Sequence, residues 1–278
     1  MNPFWDVVDA ALVINLDQRT DRWQSAQATL AGIVPPGKLQ RVPGIPGREL
    51  PGFGQRPWFR GRARDLTWAG RAGCTLGHKR ALATAQQQGW QTALIMEDDI
   101  ATSPDAGKVL AALAGYLRRR AEWDVCYLGF TDPLGPWRCL ADLGDSQTLH
   151  QVYGLQCGHA YIVNATARDW LVAHMPDAGN VWPWIAHYGV SDRWYRRTMG
   201  RHCRVWAVSP GVVSQNAGFS DIAQRATDYN TGRHRLTVPV AHPSPASFAL
   251  RLAARGLACA CRDHYDAVRA IAKRLRGF

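Results

Sequence analysis

Three consecutive carboxylates, Glu97-Asp98-Asp99, close the apolar run Thr92-Ala93-Leu94-Ile95-Met96. That run is short, uncharged and bounded by polar residues, the pattern of a buried strand. In open α/β sheets ligands bind beyond the carboxyl ends of the strands. Side chains alternate along extended chain, which sets Glu97 and Asp99 on one side and Asp98 on the other. Two carboxylates on one side suit a hard divalent ion that also takes phosphate oxygens. Such an ion stabilises a diphosphate leaving group. A solvated acidic strand end is the plain alternative.

Three further positions have residue types that could do chemistry. His78 lies within Cys74-Thr75-Leu76-Gly77-His78-Lys79-Arg80-Ala81-Leu82. Helical spacing puts it on the face of Ala81, Leu82 and Ala85. With Lys79 and Arg80 beside it, an inward His78 could hold phosphate or sugar hydroxyls; the alternative is a satisfied core histidine. Cys74 and His78, at i and i+4, have zinc spacing but no second ligand pair nearby. His159 follows Gly158 at the mouth of the run Ala160-Tyr161-Ile162-Val163, where a glycine permits close backbone approach. Asp192 is a lone acid among aromatics in Ser191-Asp192-Arg193-Trp194-Tyr195. It reads as a general base with a pKa set by burial, or, with Ser191, as a helix N-cap.

The elements that must position these groups follow from the apolar spacing. Strands are expected at Ala11 to Leu16, Thr92 to Met96, Val125 to Leu128, His159 to Val163 and Arg204 to Val208. Helices are expected from Thr20, as N-cap, to about Gly32, from Cys74 to Gln88, from Pro104 to Arg120, and from an Asn164 cap to about Met175. Residues 33–72, rich in Pro, Gly and Arg, read as a long functional loop. Strands alternating with helices give an α/β fold with a mostly parallel central sheet. The pattern changes late in the chain. Residues 1–237 read as one domain, and 238–278 as a Pro/His linker followed by a basic helical tail.

Composition narrows the function classes. The chain has 278 residues, 46% of them hydrophobic and 20% charged, which excludes wholesale disorder and coiled coil. No apolar run reaches 18 residues, so no transmembrane helix is expected. The start lacks the basic region of a signal peptide, which makes the cytoplasm the expected compartment. Seven scattered cysteines fit reduced thiols rather than a disulfide framework. The net charge of +11 points to an anionic partner. Residues 251–276 have seven basic and two acidic side chains, with Tyr265, Val268, Ile271, Ala272 and Leu275 at helical spacing. Basic amphipathic helices lie on anionic membrane surfaces, so a peripheral position on the inner face of the cytoplasmic membrane is one expectation. A helix packed on the main domain is the other.

Taken in order, these segments resemble glycosyltransferase family 25, the lipooligosaccharide galactosyltransferases and their procollagen galactosyltransferase relatives. The resemblance rests on Val13 to Arg22, Gly73 to Ala81, Ala93 to Asp99, Trp123 to Gly129, Cys157 to Ile162, Pro210 to Gln215 and Ser220-Asp221-Ile222. It departs at Gly77, where the family has Ser, and at Arg71-Ala72, where the family has an acid ahead of Gly-Cys. The resemblance implies a GT-A-like nucleotide-sugar-binding domain and an inverting, metal-dependent transfer of a hexose, galactose first. The implied donor is a UDP-sugar, the acceptor a glycan or glycolipid such as lipooligosaccharide, and the ion Mn2+ or Mg2+. It implies Glu97 and Asp99 as metal ligands, and Asn15, Arg19, Arg22, His78, Lys79, Asp98 and His159 around the donor. Asp192 would be the base.

Three rival readings stand beside it. Arg56, Arg60, Arg62, Arg64 and Arg71 interleave with Trp58, Phe59 and Trp68, a composition that binds single-stranded nucleic acid. No recognised nucleic-acid motif accompanies them, so no specific nucleic acid is expected. A carboxylate-pair glycoside hydrolase is the second rival. A catalytically inactive family member serving as a binding module is the third.

Overall fold

A computed structural model describes residues 2–62, 64–222, 224–227, 235–237 and 244–275, without the side chain of residue 273. In chain order its elements begin with β1 (Ala10–Asn15), α1 (Thr20–Leu30), β2 (Leu39–Pro43), α2 (Arg64–Gln87), β3 (Thr92–Glu97), β4 (Ile100–Thr102) and α3 (Ala106–Leu117). They continue with β5 (Val125–Tyr127), β6 (Thr131–Gly144), β7 (Gln147–Gln156), β8 (Ala160–Asn164), α4 (Ala165–His174), α5 (Val181–Tyr188) and α6 (Ser191–His202). The last are β9 (Val205–Ser209), β10 (Val213–Gln215), β11 (Gly218–Ser220), β12 (Arg225–Thr227) and α7 (Pro245–Leu275).

Eight strands form one sheet in the order β2-β1-β3-β8-β5-β9-β7-β6. Strands β2, β1, β3, β5, β9 and β6 run one way, while β8 and β7 run the other. The chain is therefore α/β with a mostly parallel sheet, as its alternating pattern predicts. Period-two alternation sorts the core into two layers. Ala11, Val13, Leu94, Met96, Cys126 and Ile162 face α1 and α3. Leu12, Ala93, Ile95, Tyr127, Tyr161 and Val163 face α2, α4 and α6.

The expected loop over 33–72 is largely structured. It holds β2 and the first turns of α2, which starts well ahead of Cys74. Phe59, Trp68, Ala72, Trp182 and Ile185 form a third apolar cluster that ties the 45–59 segment to α2 and α5. Gly73 masks the helix in the sequence. A Cβ there would overlap the Ile45 carbonyl, so the glycine is what lets the segment lie against the helix. The β6–β7 hairpin has no counterpart among the expected strands; β6 holds Pro133, Gly135 and Pro136 and pairs irregularly at the sheet edge. Thr20 is the first residue of α1 rather than its cap. Arg19 precedes it without a side-chain capping bond. The Asn164 cap is present, its side chain accepting from the Ala167 N–H at 2.9 Å.

Helix α7 turns a mixed face to the domain. Asp263 and Asp266 accept from Arg201 and Arg197, each at 2.6 Å, with Phe248 and Ala270 buried along the same side. Leu250, Leu257, Tyr265, Val268, Ile271 and Leu275 are exposed. Of the expected Pro/His linker, residues 238–243 lie outside the described residues. Among the described residues no helix is long and apolar enough to cross a membrane.

Asp124 anchors β5 to β9. Its buried carboxylate takes the Arg204 N–H at 2.6 Å and the Arg204 guanidinium at 2.8 Å. Burial alone would raise this carboxyl, but the Arg204 bonds outweigh it and hold it below the usual range. A carboxyl lowered in the folded state stabilises above its unfolded pKa of about 3.9, and that contribution is lost as the pH falls. We expect Asp124→Asn to cost about 1.5–3 kcal/mol at neutral pH. The difference from wild type should shrink below about pH 4. Urea unfolding at several pH values measures both.

Candidate functional site

The carboxyl ends of β1 and β3 supply the first residues of the site. Asn15 ends β1 and Glu97 ends β3, and the two strands lie side by side. Strand β8 runs antiparallel to β3, so its beginning lies at that same edge. His159, the residue before β8, is therefore brought beside Glu97, whose N–H donates to the His159 carbonyl at 3.0 Å. Helix α2 crosses behind them and buries His78.

The carboxylates divide as alternation predicts. Gln215 Nε2, on β10, donates to Glu97 Oε2 at 3.3 Å and to Asp99 Oδ1 at 3.2 Å, so these two acids share one side. Asp98 faces the other way. It accepts from Asn15 Nδ2 at 2.7 Å and from Arg22 at 3.0 Å. Arg22 also lies 3.5 Å from Asp99, and donates to the Phe219 carbonyl at 2.6 Å. Arg41 orients Asn15, donating to its side-chain oxygen at 2.8 Å.

Crowding sets the protonation of the three acids. Burial and the neighbouring Glu97 charge push Asp99 up to about 7, against Arg22. Burial also raises Asp98. Burial opposes ionisation of Glu97 as well, but the hydrogen bond from His78 and the nearby Arg22 hold it below the usual range. His78 Nε2 lies 3.3 Å from Glu97 Oε1, and its Nδ1 lies 3.2 Å from the Tyr161 hydroxyl. Burial keeps that phenol protonated. Tyr161 thus donates to Nδ1, and the tautomer assigned from this network has Nε2–H donating to Glu97. His159 is buried with Nε2 3.2 Å from the Val213 carbonyl and Nδ1 without a partner, and burial lowers its pKa.

Oxygen donors on one side, held together by a single amide, can hold a hard divalent ion at Glu97 and Asp99. A second donor set is present. Cys74 Sγ, a His78 ring nitrogen and a Glu97 oxygen all lie within 4.8 Å of one another, so the fold adds a third ligand to the pair the sequence leaves incomplete.

The remaining predicted residues take varied positions. Asp192 lies in the first turn of α6, and α6 has no side-chain cap. Its Oδ1 is buried without a hydrogen-bond partner, and burial, with the nearby Glu97 charge, raises its pKa. Arg19 pairs with Asp221 at 2.7 Å and with Asp21 at 3.0 Å, beside rather than within the carboxylate group. Lys79 turns away, donating to Asp177 at 2.6 Å and to the Met175 carbonyl at 3.0 Å. Phe59 and Trp68, read as candidate stacking faces for bases, are buried in the third apolar cluster.

Gln215, Tyr161 and Arg41 were not assigned roles from the sequence. Gln215 closes the Pro210 to Gln215 stretch, so its position was visible there; its contacts come only from the β4–β10 pairing. Cys157 adopts a φ of +73°, a conformation that costs energy in a non-glycine residue, and its thiol donates to Gln215 Oε1 at 3.3 Å.

No protein-family model matches the chain, and no curated protein is similar to it in sequence. Among solved structures, it is similar to the crystal structure of mannose-1-phosphate geranyltransferase from Thermus thermophilus. The identity is 16%, the coverage 72% of this chain and 73% of the other, and the TM-score 0.36. It is also similar to the crystal structure of A197 from STIV, at 11% identity, 84% and 100% coverage, and a TM-score of 0.35. Likenesses this loose carry no function, which has to come from the site.

The close approach expected at Gly158 occurs instead at Gly129. A Cβ on Gly158 would meet His78 at 3.5 Å, an ordinary contact, whereas one on Gly129 would overlap the His159 ring and the Val213 carbonyl. We expect Gly129→Ala to displace His159 and cost about 1–3 kcal/mol. Gly158→Ala should stay within about 0.5 kcal/mol of wild type. Thermal unfolding of the two variants, with the His159 imidazole resonances as a local probe, tests the contrast.

Proposed function

We propose that the protein is an inverting, metal-dependent hexosyltransferase of the glycosyltransferase family 25 type. It moves galactose, or a related hexose, from a UDP-sugar to a glycan or glycolipid acceptor such as lipooligosaccharide. The observation that carries this reading is the convergence of Glu97, Asp98, Asp99, Asn15, Arg22, His78 and His159 at the carboxyl ends of β1 and β3.

A divalent ion, Mn2+ or Mg2+, fits the paired carboxylates Glu97 and Asp99. Burial and the neighbouring Glu97 charge raise Asp99, the mark of oxygens that gain from a cation. When bound, the ion supplies positive charge for the leaving diphosphate. Asn15 and Arg22 hold Asp98 and fix the loop against which the nucleotide lies. His78 holds Glu97 in place through its Nε2–H. Asp192 takes the proton of the acceptor hydroxyl as that oxygen bonds to the anomeric carbon and UDP leaves. Burial has raised the Asp192 carboxyl, which makes it a stronger base once ionised.

Exposed apolar residues on α7, flanked by Arg251, Arg255, Arg262 and Arg269, support a peripheral seat on an anionic membrane, where a glycolipid acceptor is held. The cytoplasmic face is the side this reading assigns.

A thermal-shift panel tests the donor and the metal. UDP-galactose with manganese should stabilise the protein by about 2.7 kcal/mol at 100-fold excess over Kd. The manganese effect should grow between pH 6 and pH 8, because a proton on Asp99 competes with the ion until the pH passes about 7. Asp99→Asn should abolish that response and the transfer. Asp192→Asn should keep donor binding and lose about 10²–10⁴-fold in turnover. A full manganese response in Asp99→Asn would reject the metal assignment.

Membrane seating is tested by co-sedimentation with anionic liposomes. Replacing Leu257, Val268 and Ile271 by Gln should weaken binding about tenfold or more, since each buried methylene contributes ~0.8 kcal/mol. Equal sedimentation of wild type and variant would show that α7 does not dock.

A further inference from the structure

A second concave site lies between α2, α5, α6 and α7. It is a cavity of about 220 Å³ lined by Arg71, Arg193, Arg197, Arg262, Arg269 and Asp266. Five guanidinium groups meet a single carboxylate there. Asp266 is already committed, lying 2.6 Å from Arg197 and 3.5 Å from Arg262. Arg71, Arg193 and Arg269 form no ion pair with any carboxylate among the described residues. Arg269 lies only over the Tyr265 ring. Burial and the neighbouring Arg193 charge together disfavour the cationic form of Arg71.

Arg71 is half-buried and Arg193 and Arg269 are exposed, so water screens part of their mutual repulsion in the free state, and no carboxylate answers the rest. A bound anion reverses the balance. Each guanidinium offers a planar fork of donors that matches phosphate or carboxylate oxygens. Arginines reaching in from three helices suit a tetrahedral group, which offers oxygens in several directions. The cavity also adjoins the catalytic edge. Arg193 follows Asp192 in the chain, and the Asp192 charge acts on Arg71. The donor carboxylates and Arg22 lie at the ends of β1 and β3 and do not line this cavity.

We infer that this cavity is an anion subsite that binds a phosphate group of the acceptor, placing an acceptor hydroxyl near Asp192. Its role toward an acceptor rests on the transferase reading above; the binding of a sugar phosphate by these arginines does not. Arg71 contributes one of the charges. The acceptor class it selects is a phosphorylated sugar rather than a neutral one.

Calorimetric titration of the full chain with glucose 6-phosphate, glucose and UDP tests the inference. Glucose 6-phosphate should bind and glucose should not. Arg193→Gln combined with Arg269→Gln should weaken glucose 6-phosphate at least about tenfold, the loss of charge-assisted hydrogen bonds. Binding of UDP with manganese should be unchanged in that variant. Arg71→Gln serves as a second variant: it should weaken glucose 6-phosphate while holding or raising Tm, because it removes a desolvated like charge. Equal affinity in wild type and both variants would overturn the subsite. Displacement of glucose 6-phosphate by UDP would also overturn it, by moving the phosphate to the donor position. Tighter competition by a single-stranded oligonucleotide than by any sugar phosphate would overturn the acceptor assignment in favour of nucleic acid. If the arginine variants lose glucose 6-phosphate but no UDP-sugar binds with any metal, the subsite stands and the transferase reading falls.

Discussion

Like-charge repulsion at the end of β3 is the constraint that the arrangement of the site answers to. Three carboxylates follow one another where the chain leaves the core, and water reaches them poorly. Glu97 is held by His78 from α2, Asp98 by Asn15 from β1, and two shared partners tie the set together: Gln215 from β10 donates to Glu97 and Asp99, and Arg22 from α1 reaches Asp98 and Asp99. The fold in this region amounts to a set of donors brought from distant parts of the chain to one acidic strand end.

Chain direction makes that convergence feasible. Parallel strands β1 and β3 deliver their carboxyl ends to one edge, and the reversed β8 delivers its beginning to the same place. His159 is thus presented by the start of a strand and Glu97 by the end of its neighbour. The requirement for a glycine at position 129 follows from this, since the His159 ring fills the space that a side chain there would need.

Much of this was legible in the sequence where a local rule applies. Alternation along β3 was enough to separate Asp98 from Glu97 and Asp99, and helical spacing was enough to turn His78 inward. What was not legible depends on distant contacts. The first turns of α2 carry glycines and read as loop, because the Ile45 backbone that occupies the space at Gly73 is remote in sequence. Proline and glycine interrupt β6, yet β7 holds that strand by pairing along its length. Gln215 could be seen as part of a patterned stretch, but its bridging role depends on β10 pairing with β4, which follows the acids directly. Lys79 shows the limit of inference from adjacency. One position beyond His78 on a helix is a turn of about 100°, and its ammonium is taken up by Asp177 instead.

Helix α6 carries Asp192 in its first turn and, further along, Arg197 and Arg201, whose partners Asp263 and Asp266 lie on α7. The two helices are clamped by charge rather than by an apolar seam. These pairs are largely shielded from water, so salt screens them less than it screens exposed pairs. Helix α7 is therefore a brace laid across the same helix that presents Asp192 from its first turn.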